Sequence, residues 1–167
     1  ALGNWINGNA YGVEIAPEAD RTQLIDNFIG MAADGVTGAG NAFANLLVQG
    51  GNSYIGGTDF STGNVIADAP LGILIQGGSS GANIRNNRIG TNANGDAGLP
   101  NTTGIMIENG SDNSITDNQI AYNGDGVIVQ QGPGNRITGN TIYNSTRLAI
   151  DLYPAGVTIN DTGDADS

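Results

Sequence analysis

The chain has 167 residues, with 28 glycines, no cysteine and no histidine, and its only cations are Arg21, Arg85, Arg88, Arg136 and Arg147 against 16 acidic residues, a formal charge of −11. That arithmetic excludes thiol and imidazole chemistry, disulfides and Cys/His zinc sites, and makes nucleic acid a poor partner, because phosphates are neutralised by clustered Lys and Arg. The length suits one domain over residues 1–167, and no apolar run approaches the ~20 residues that span a bilayer, so membrane insertion is not expected. Residues 1–20 lack the basic start and apolar core of a signal peptide, and there is no initiator Met, so the chain reads as excised from a longer one.

In chain order, an Asn-x-aliphatic unit at Asn4-Trp5-Ile6 is followed by an alternating strand at Val13-Glu14-Ile15 and an isolated aliphatic at Leu24. The unit returns at Asn27-Phe28-Ile29, then an insertion over 30–44, a strand at Leu46-Leu47-Val48 and Ile55. Next come Asn64-Val65-Ile66, Ile73-Leu74-Ile75 and Ile84, and then Asn87-Arg88-Ile89 with a second insertion over 90–103. Ile105-Met106-Ile107, Ile115, Asn118-Gln119-Ile120, Val127-Ile128-Val129, Ile137, Asn140-Thr141-Ile142 and Ile150-Asp151-Leu152 complete the series. Residues 153–167 form an acidic closing segment.

The period is 22 residues at the C-terminal end, from Gly104 to Gly126 and from Asn118 to Asn140. A longer repeat of 60 relates Gly12 to Gly72, Asn27 to Asn87 and Ile55 to Ile115, as though a two-coil unit had been duplicated. Each repeat is too short to bury its own apolar face, so neighbours must stack around one core. This predicts an all-β solenoid of about six coils, on the order of 30 Å long at the inter-strand spacing. The aliphatics face inward, each contributing ~1.5–3 kcal/mol on burial. The Asn of each unit forms an internal ladder at a tight turn and tolerates a left-handed conformation there.

The Gly-Val-x-Val strands and Asn-x-Ile-x-x-Asn turns resemble the right-handed parallel β-helix repeats of the pectate-lyase-like superfamily over nearly the whole chain. Ile89 to Gly95, Gly63-Asn64-Val65-Ile66, Ala149-Ile150-Asp151-Leu152, Gly156-Val157-Thr158 and Asn160 to Asp166 are similar to β-helix segments of very large bacterial secreted or surface proteins. Leu148-Ala149 departs from the pattern, standing where a glycine is usual. The resemblance implies a right-handed parallel β-helix and a secreted or cell-surface setting. It carries little about activity, because lyases, hydrolases, epimerases, adhesins and stalks share the shape. Lyases of this shape use an Arg or Lys base beside carboxylates that hold Ca²⁺ against a uronate. The hydrolases' Asn-Thr-Asp and Gly-His-Gly signatures and the epimerases' Asp-Pro-His are absent from this sequence.

Three groups of residues remain as candidate sites. Arg85 and Arg88 flank Asn86-Asn87 and are expected on one outer face with Asp117 one coil away, as a grip for a carboxylate or sulfate or as a lyase-like catalytic set. Asp161, Asp164 and Asp166 have the hard oxygen character Ca²⁺ prefers, without EF-hand spacing. Leu47, Leu74, Met106 and Ile128 occupy central strand positions and are expected to face outward as an apolar ridge, either open for contact or covered by the insertions 30–44 and 90–103. The reading is a non-catalytic structural or adhesive β-helix module offering a rigid rod to a protein or polysaccharide surface. Its alternatives are a polysaccharide lyase-like domain using Arg, Asp and Ca²⁺, and a homo-oligomer or filament subunit assembling end to end through unpaired coil edges.

Overall fold

The computed structural model describes residues 3–153. Three sheets run the length of these residues, and every pairing between their strands is parallel. The first sheet stacks Trp5–Ile6, Phe28–Ile29, Val65–Ile66, Arg88–Ile89, Gln119–Ala121 and Thr141–Tyr143. The second stacks Tyr11–Ile15, Ala44–Val48, Leu71–Ile75, Thr103–Ile107, Asp125–Val129 and Ile150–Leu152, and the third Gln23–Leu24, Tyr54–Ile55, Asn83–Arg85, Ser114–Thr116 and Arg136–Thr138. The chain visits the sheets in rotation, one short strand at a time, which is a parallel β-solenoid.

Register puts the sequence repeats directly on top of one another. Ile6, Ile29, Ile66, Ile89, Ile120 and Ile142 form one inward column of the first sheet. Leu24, Ile55, Ile84, Ile115 and Ile137 form that of the third, and two columns come from the second sheet. Their middle members merge into one core of fully buried side chains, and members in the outer coils, such as Ile6 and Ile142, are only partly buried. A strand of two or three residues has too few ladder bonds to persist alone, so these columns hold the stack together.

The corners carry the polar half of the interior. Between the third and first sheets, the Nδ2 of Asn4, Asn27, Asn64, Asn87 and Asn118 each donates to the Oδ1 of the next asparagine, at 2.8 to 3.0 Å. The same Oδ1 also accepts the backbone N–H of the preceding rung. A side chain thus satisfies the corner amide that no strand partner reaches. The left-handed residue is the one before the ladder asparagine in four turns, namely Asp26 (φ 56), Asn86 (φ 55), Asp117 (φ 56) and Gly139 (φ 69). This corrects the expectation that the ladder asparagines themselves take that conformation.

Two further ladders stand at the other corners. Asn113 donates its N–H and Nδ2 to Asn135 Oδ1 between the second and third sheets, and Asn113 Oδ1 accepts from Ala82 N. Between the first and second sheets, Asn9 donates to Asn41, and Asn101 to Asn123. In the turn between them the rung position is Ala69, whose N–H still reaches Asn101 Oδ1 but which has no side chain to continue the series. Asn45 fills the break. It stands where other coils have Gly12, Gly72, Gly104 or Gly126, is fully buried, accepts Asn41 Nδ2 at 2.7 Å, and donates to Ala67 O at 2.6 Å and Asn101 Oδ1 at 3.3 Å.

Candidate functional site

Arg85 and Arg88 do not share a face. Arg85 ends a third-sheet strand and Arg88 begins a first-sheet strand, with the left-handed Asn86 turning the chain between them. Arg88 donates from Nη1 to Phe60 O at 3.0 Å, with its guanidinium 5.2 Å from the centre of the Phe60 ring. Asp117 stacks in the corner position of Asn86 and lies beyond 4.0 Å from either arginine, since the ion pairs among the described residues are Arg21–Asp20 and Arg147–Asp125. The expected Arg85, Arg88 and Asp117 constellation is therefore separated, because the corner residue between the two arginines sends them to different sheets.

The apolar ridge is also corrected. Leu47 and Leu74 are 6 % and 8 % exposed and form a small cluster with Ala44, against which Leu71 and Met106 pack; Met106 and Ile128 are half-buried. The four residues do stack in register, Leu47 on Leu74, on Met106, on Ile128. Side chains pointing away from the main core here pack on their own neighbours rather than on solvent. The insertions cover a different place. Met31, Ala93 and Leu99 pack with Phe28, Val65 and Ala67, and the two loops meet where Ala93 N–H donates to Gly35 O at 2.9 Å. Each loop closes with an antiparallel bridge, Met31 to Gly38 and Thr91 to Gly98, which preserves the repeat of 60 in three dimensions.

An open groove of about 320 Å³ lies on the outer face of the third sheet, lined by Gln23, Ile25, Tyr54, Thr58, Thr62 and Arg85 with Gly56 and Gly57 at its base. The residues following the inward Leu24, Ile55 and Ile84 are Ile25, Gly56 and Arg85, and at Gly56 the chain packs closely on the next coil, beside Arg85 O and the Asn87 amide. Only glycine fits there. Gly56 has φ +102, and an added Cβ would sit 1.8 Å from Arg85 O. Gln23 and Tyr54 are register partners and form the adjoining outward row. Tyr54 and Ile25 are 49 % and 48 % exposed.

The 57–63 loop walls the other side and is tied at several points. Asp59 Oδ1 accepts Ser61 N and Ser61 Oγ at 2.8 and 2.6 Å, and Asp59 O accepts Thr62 N and Oγ1. The Ser61 hydroxyl and N–H hold the Asp59 carboxyl below its usual range. Asn86 Nδ2 donates to Gly57 O at 2.9 Å, and Arg88 clamps Phe60 from the neighbouring sheet. Arg88 thus positions the wall of a groove that Arg85 lines. No carboxylate of the described residues lies within 4.0 Å of the Arg85 guanidinium.

The other strong electrostatic feature is at the C-terminal end. Arg147 donates from Nε to Asp125 Oδ2 at 2.8 Å, with Nη2 2.6 Å from the same oxygen, and Leu148 N–H donates to Asp125 Oδ1. Burial pushes the Asp125 carboxyl up, but the Arg147 hydrogen bond, the Leu148 amide and the Arg147 charge outweigh it and leave the carboxyl below its usual range. Arg147 also reaches Thr102 O, so this pair staples three successive turns of the chain. Asp161, Asp164 and Asp166, with most of the 153–167 closing segment, lie outside the described residues. Among the described residues no three His, Cys, Asp or Glu side chains converge as metal ligands.

The sequence matches the family model of the right handed beta helix region over residues 29–163. The chain belongs to that family. The match gives the solenoid its right-handed sense, and it starts at the second Asn-x-aliphatic unit, although the β-helix already has its three strands at Trp5–Ile6, Tyr11–Ile15 and Gln23–Leu24. No curated protein and no solved structure matches the chain. The sequence reading missed the second and third ladders, although Asn101 to Asn123 and Asn113 to Asn135 repeat the 22-residue spacing. It also missed the groove, whose only sequence trace is Gly56-Gly57 in a stretch that reads as an ordinary turn.

Proposed function

We propose that this β-helix is a non-catalytic module of a secreted or cell-surface protein, a rigid rod whose work is contact with a protein or glycan. The observation that supports this most is the use to which its polar residues are put. Asparagine amides run through the corners as structural ladders, Asp117 is a turn residue, Asp125 and Arg147 staple the last turns, and Arg88 braces a loop. General acid or base work requires a group within hydrogen-bond reach of a reacting atom beside a second polar group. Arg85, Arg88 and Asp117 face apart, which disfavours the lyase-like reading through those residues.

The test is turnover. The protein is incubated with pectin, alginate and glycosaminoglycans, with and without Ca²⁺, and the ultraviolet absorbance of unsaturated uronate is followed. No product is expected. Product that disappears in Arg88→Gln or Asp117→Asn would overturn the reading and restore the lyase-like alternative.

A further inference from the structure

We infer that Asn109 is a position at which this protein modifies itself, by closing its side chain onto the backbone and reopening as aspartate or isoaspartate. The Gly110 nitrogen bonds to Asn109 Cγ, the Cγ–Nδ2 bond breaks, and ammonia leaves with the proton that the Gly110 nitrogen gives up. Water then opens the cyclic imide at either carbonyl. The chemistry suits Asn-Gly, because glycine presents the least hindered backbone nitrogen. The sequence holds four such pairs, Asn7-Gly8, Asn94-Gly95, Asn109-Gly110 and Asn123-Gly124. Ring closure needs a side-chain amide free to swing over its own peptide plane and a nitrogen free to leave its hydrogen bond.

The structure ranks the four pairs on both counts. Asn123 is fully buried, its Oδ1 accepts from Asn101 N and Nδ2, its Nδ2 donates to Ile89 O, and Gly124 N–H donates to Asn101 O at 3.0 Å. Asn94 is exposed, but Gly95 N–H is held by Asn92 O at 3.0 Å and by Asn92 Oδ1 at 2.9 Å. Asn7 donates from Nδ2 to Met31 O at 2.9 Å, and Gly8 N–H is shared between Ala39 O and Gly40 O, 3.3 Å from each. Asn109 combines the two freedoms. It is exposed, its side-chain amide has no hydrogen-bond partner among the described residues, and Gly110 N–H reaches only Gln131 O, at 3.4 Å, beyond the ordinary length of such a bond.

The fold also keeps the glycine in place. An added Cβ at Gly110 would lie 2.8 Å from Ser79 O and 3.0 Å from Asn113 Nδ2, so no side chain can enter there to shield the nitrogen. The product bears on the coil around it. Asn109 O accepts Gly78 N–H at 3.0 Å, Gly110 and Ser111 pair with Ser79 and Ser80, and Gly110 O accepts Asn135 Nδ2 at 2.8 Å. Isoaspartate routes the main chain through the former side chain, lengthens it by one carbon just before that pairing, and turns the carbonyl that held Gly78 into a free carboxylate. Either acid also adds a negative charge beside Glu108, on a chain already at −11.

The experiment is a timed incubation of the intact folded protein in mildly alkaline buffer, with peptide mapping by mass spectrometry to locate each conversion and enzymatic methylation of isoaspartyl groups to count the rearranged product. Asn109 is expected to convert first, about tenfold or more ahead of Asn94, the factor set by the two hydrogen bonds that Gly95 N–H must give up. Asn123 is expected to be slowest. In urea, where the hydrogen bonds that separate them are gone, the four pairs are expected to converge. Asn92→Ala removes one acceptor from Gly95 N–H and is expected to speed Asn94 severalfold while leaving Asn109 unchanged, and Asn109→Gln is expected to remove the leading product. Far-UV circular dichroism confirms that both variants are folded. Conversion at Asn7 or Asn94 as fast as at Asn109 in the folded protein, an intact Asn109 under conditions where the unfolded chain converts, or an Asn94 rate indifferent to Asn92→Ala would each overturn the inference.

Discussion

Asn45 and Ala69 are a compensated pair, and a double-mutant cycle resolves them. Asn45→Gly restores the residue type found at this position in other coils, yet it removes the acceptor of Asn41 Nδ2 and the donors to Ala67 O and Asn101 Oδ1. Asn101 Oδ1 keeps the Ala69 N–H and Asn41 Nδ2 keeps a long contact to Ile6 O at 3.4 Å, so Ala67 O is the group most exposed to loss. One or two buried polar groups left short at about 1–3 kcal/mol each, with about 0.5–1 kcal/mol for the added glycine freedom, give a destabilisation of about 1.5–7 kcal/mol. Ala69→Asn alone is also unfavourable, because the new amide must enter space that Asn45 already fills. Together they rebuild the rung as it is made by Asn101 and Asn123, so the double variant is expected to be more stable than the sum of the singles by at least about 1 kcal/mol. Urea denaturation followed by circular dichroism measures all four corners of the cycle. Additive effects would refute the claim that Asn45 substitutes for the missing ladder residue.

Other perturbations separate the remaining roles. Asp125→Asn is expected to cost about 1–3 kcal/mol at neutral pH, because it discards the charge-assisted bond to Arg147. The folded carboxyl titrates below its unfolded value, so this contribution is present above the unfolded pKa of about 4 and is lost as pH falls through the folded one. The gap between wild type and variant in urea midpoints should close on acidification, and a pH-independent gap would contradict the assignment. Leu74→Ala should cost about 2 kcal/mol or more in a thermal or urea melt, as for a packed leucine, whereas an open ridge residue would cost under about 0.5 kcal/mol. Gly56→Ala should destabilise by more than the ~1–2 kcal/mol of its left-handed conformation alone, because the added carbon meets the Arg85 carbonyl; a urea midpoint unchanged from wild type would contradict that close approach.

The stack was legible in the sequence because its cause is periodic. Isoleucines in phase with asparagine name both the inward columns and the first ladder, and parallel pairing with the next coil requires nothing else. What was not legible depends on distances between coils. Arg85 and Arg88 are three residues apart and read as neighbours, yet one left-handed asparagine between them sends them to separate sheets. Alternation correctly aims Leu47 and Leu74 away from the main core, but direction does not fix exposure, and these side chains bury one another. Asn45 breaks a glycine position and Ala69 breaks an asparagine position, and only the fold brings the two exceptions together. The same holds for the groove, whose lining is drawn from successive coils at Gln23, Tyr54 and Arg85.

The central claim is contact without turnover, and one experiment bears on both halves. Acidic and neutral oligosaccharides are titrated into the protein by calorimetry, and the recovered glycan is then weighed by mass spectrometry after prolonged incubation. The glycan is expected back at unchanged mass, with or without saturable binding. Shortened or unsaturated glycan would contradict the non-catalytic reading.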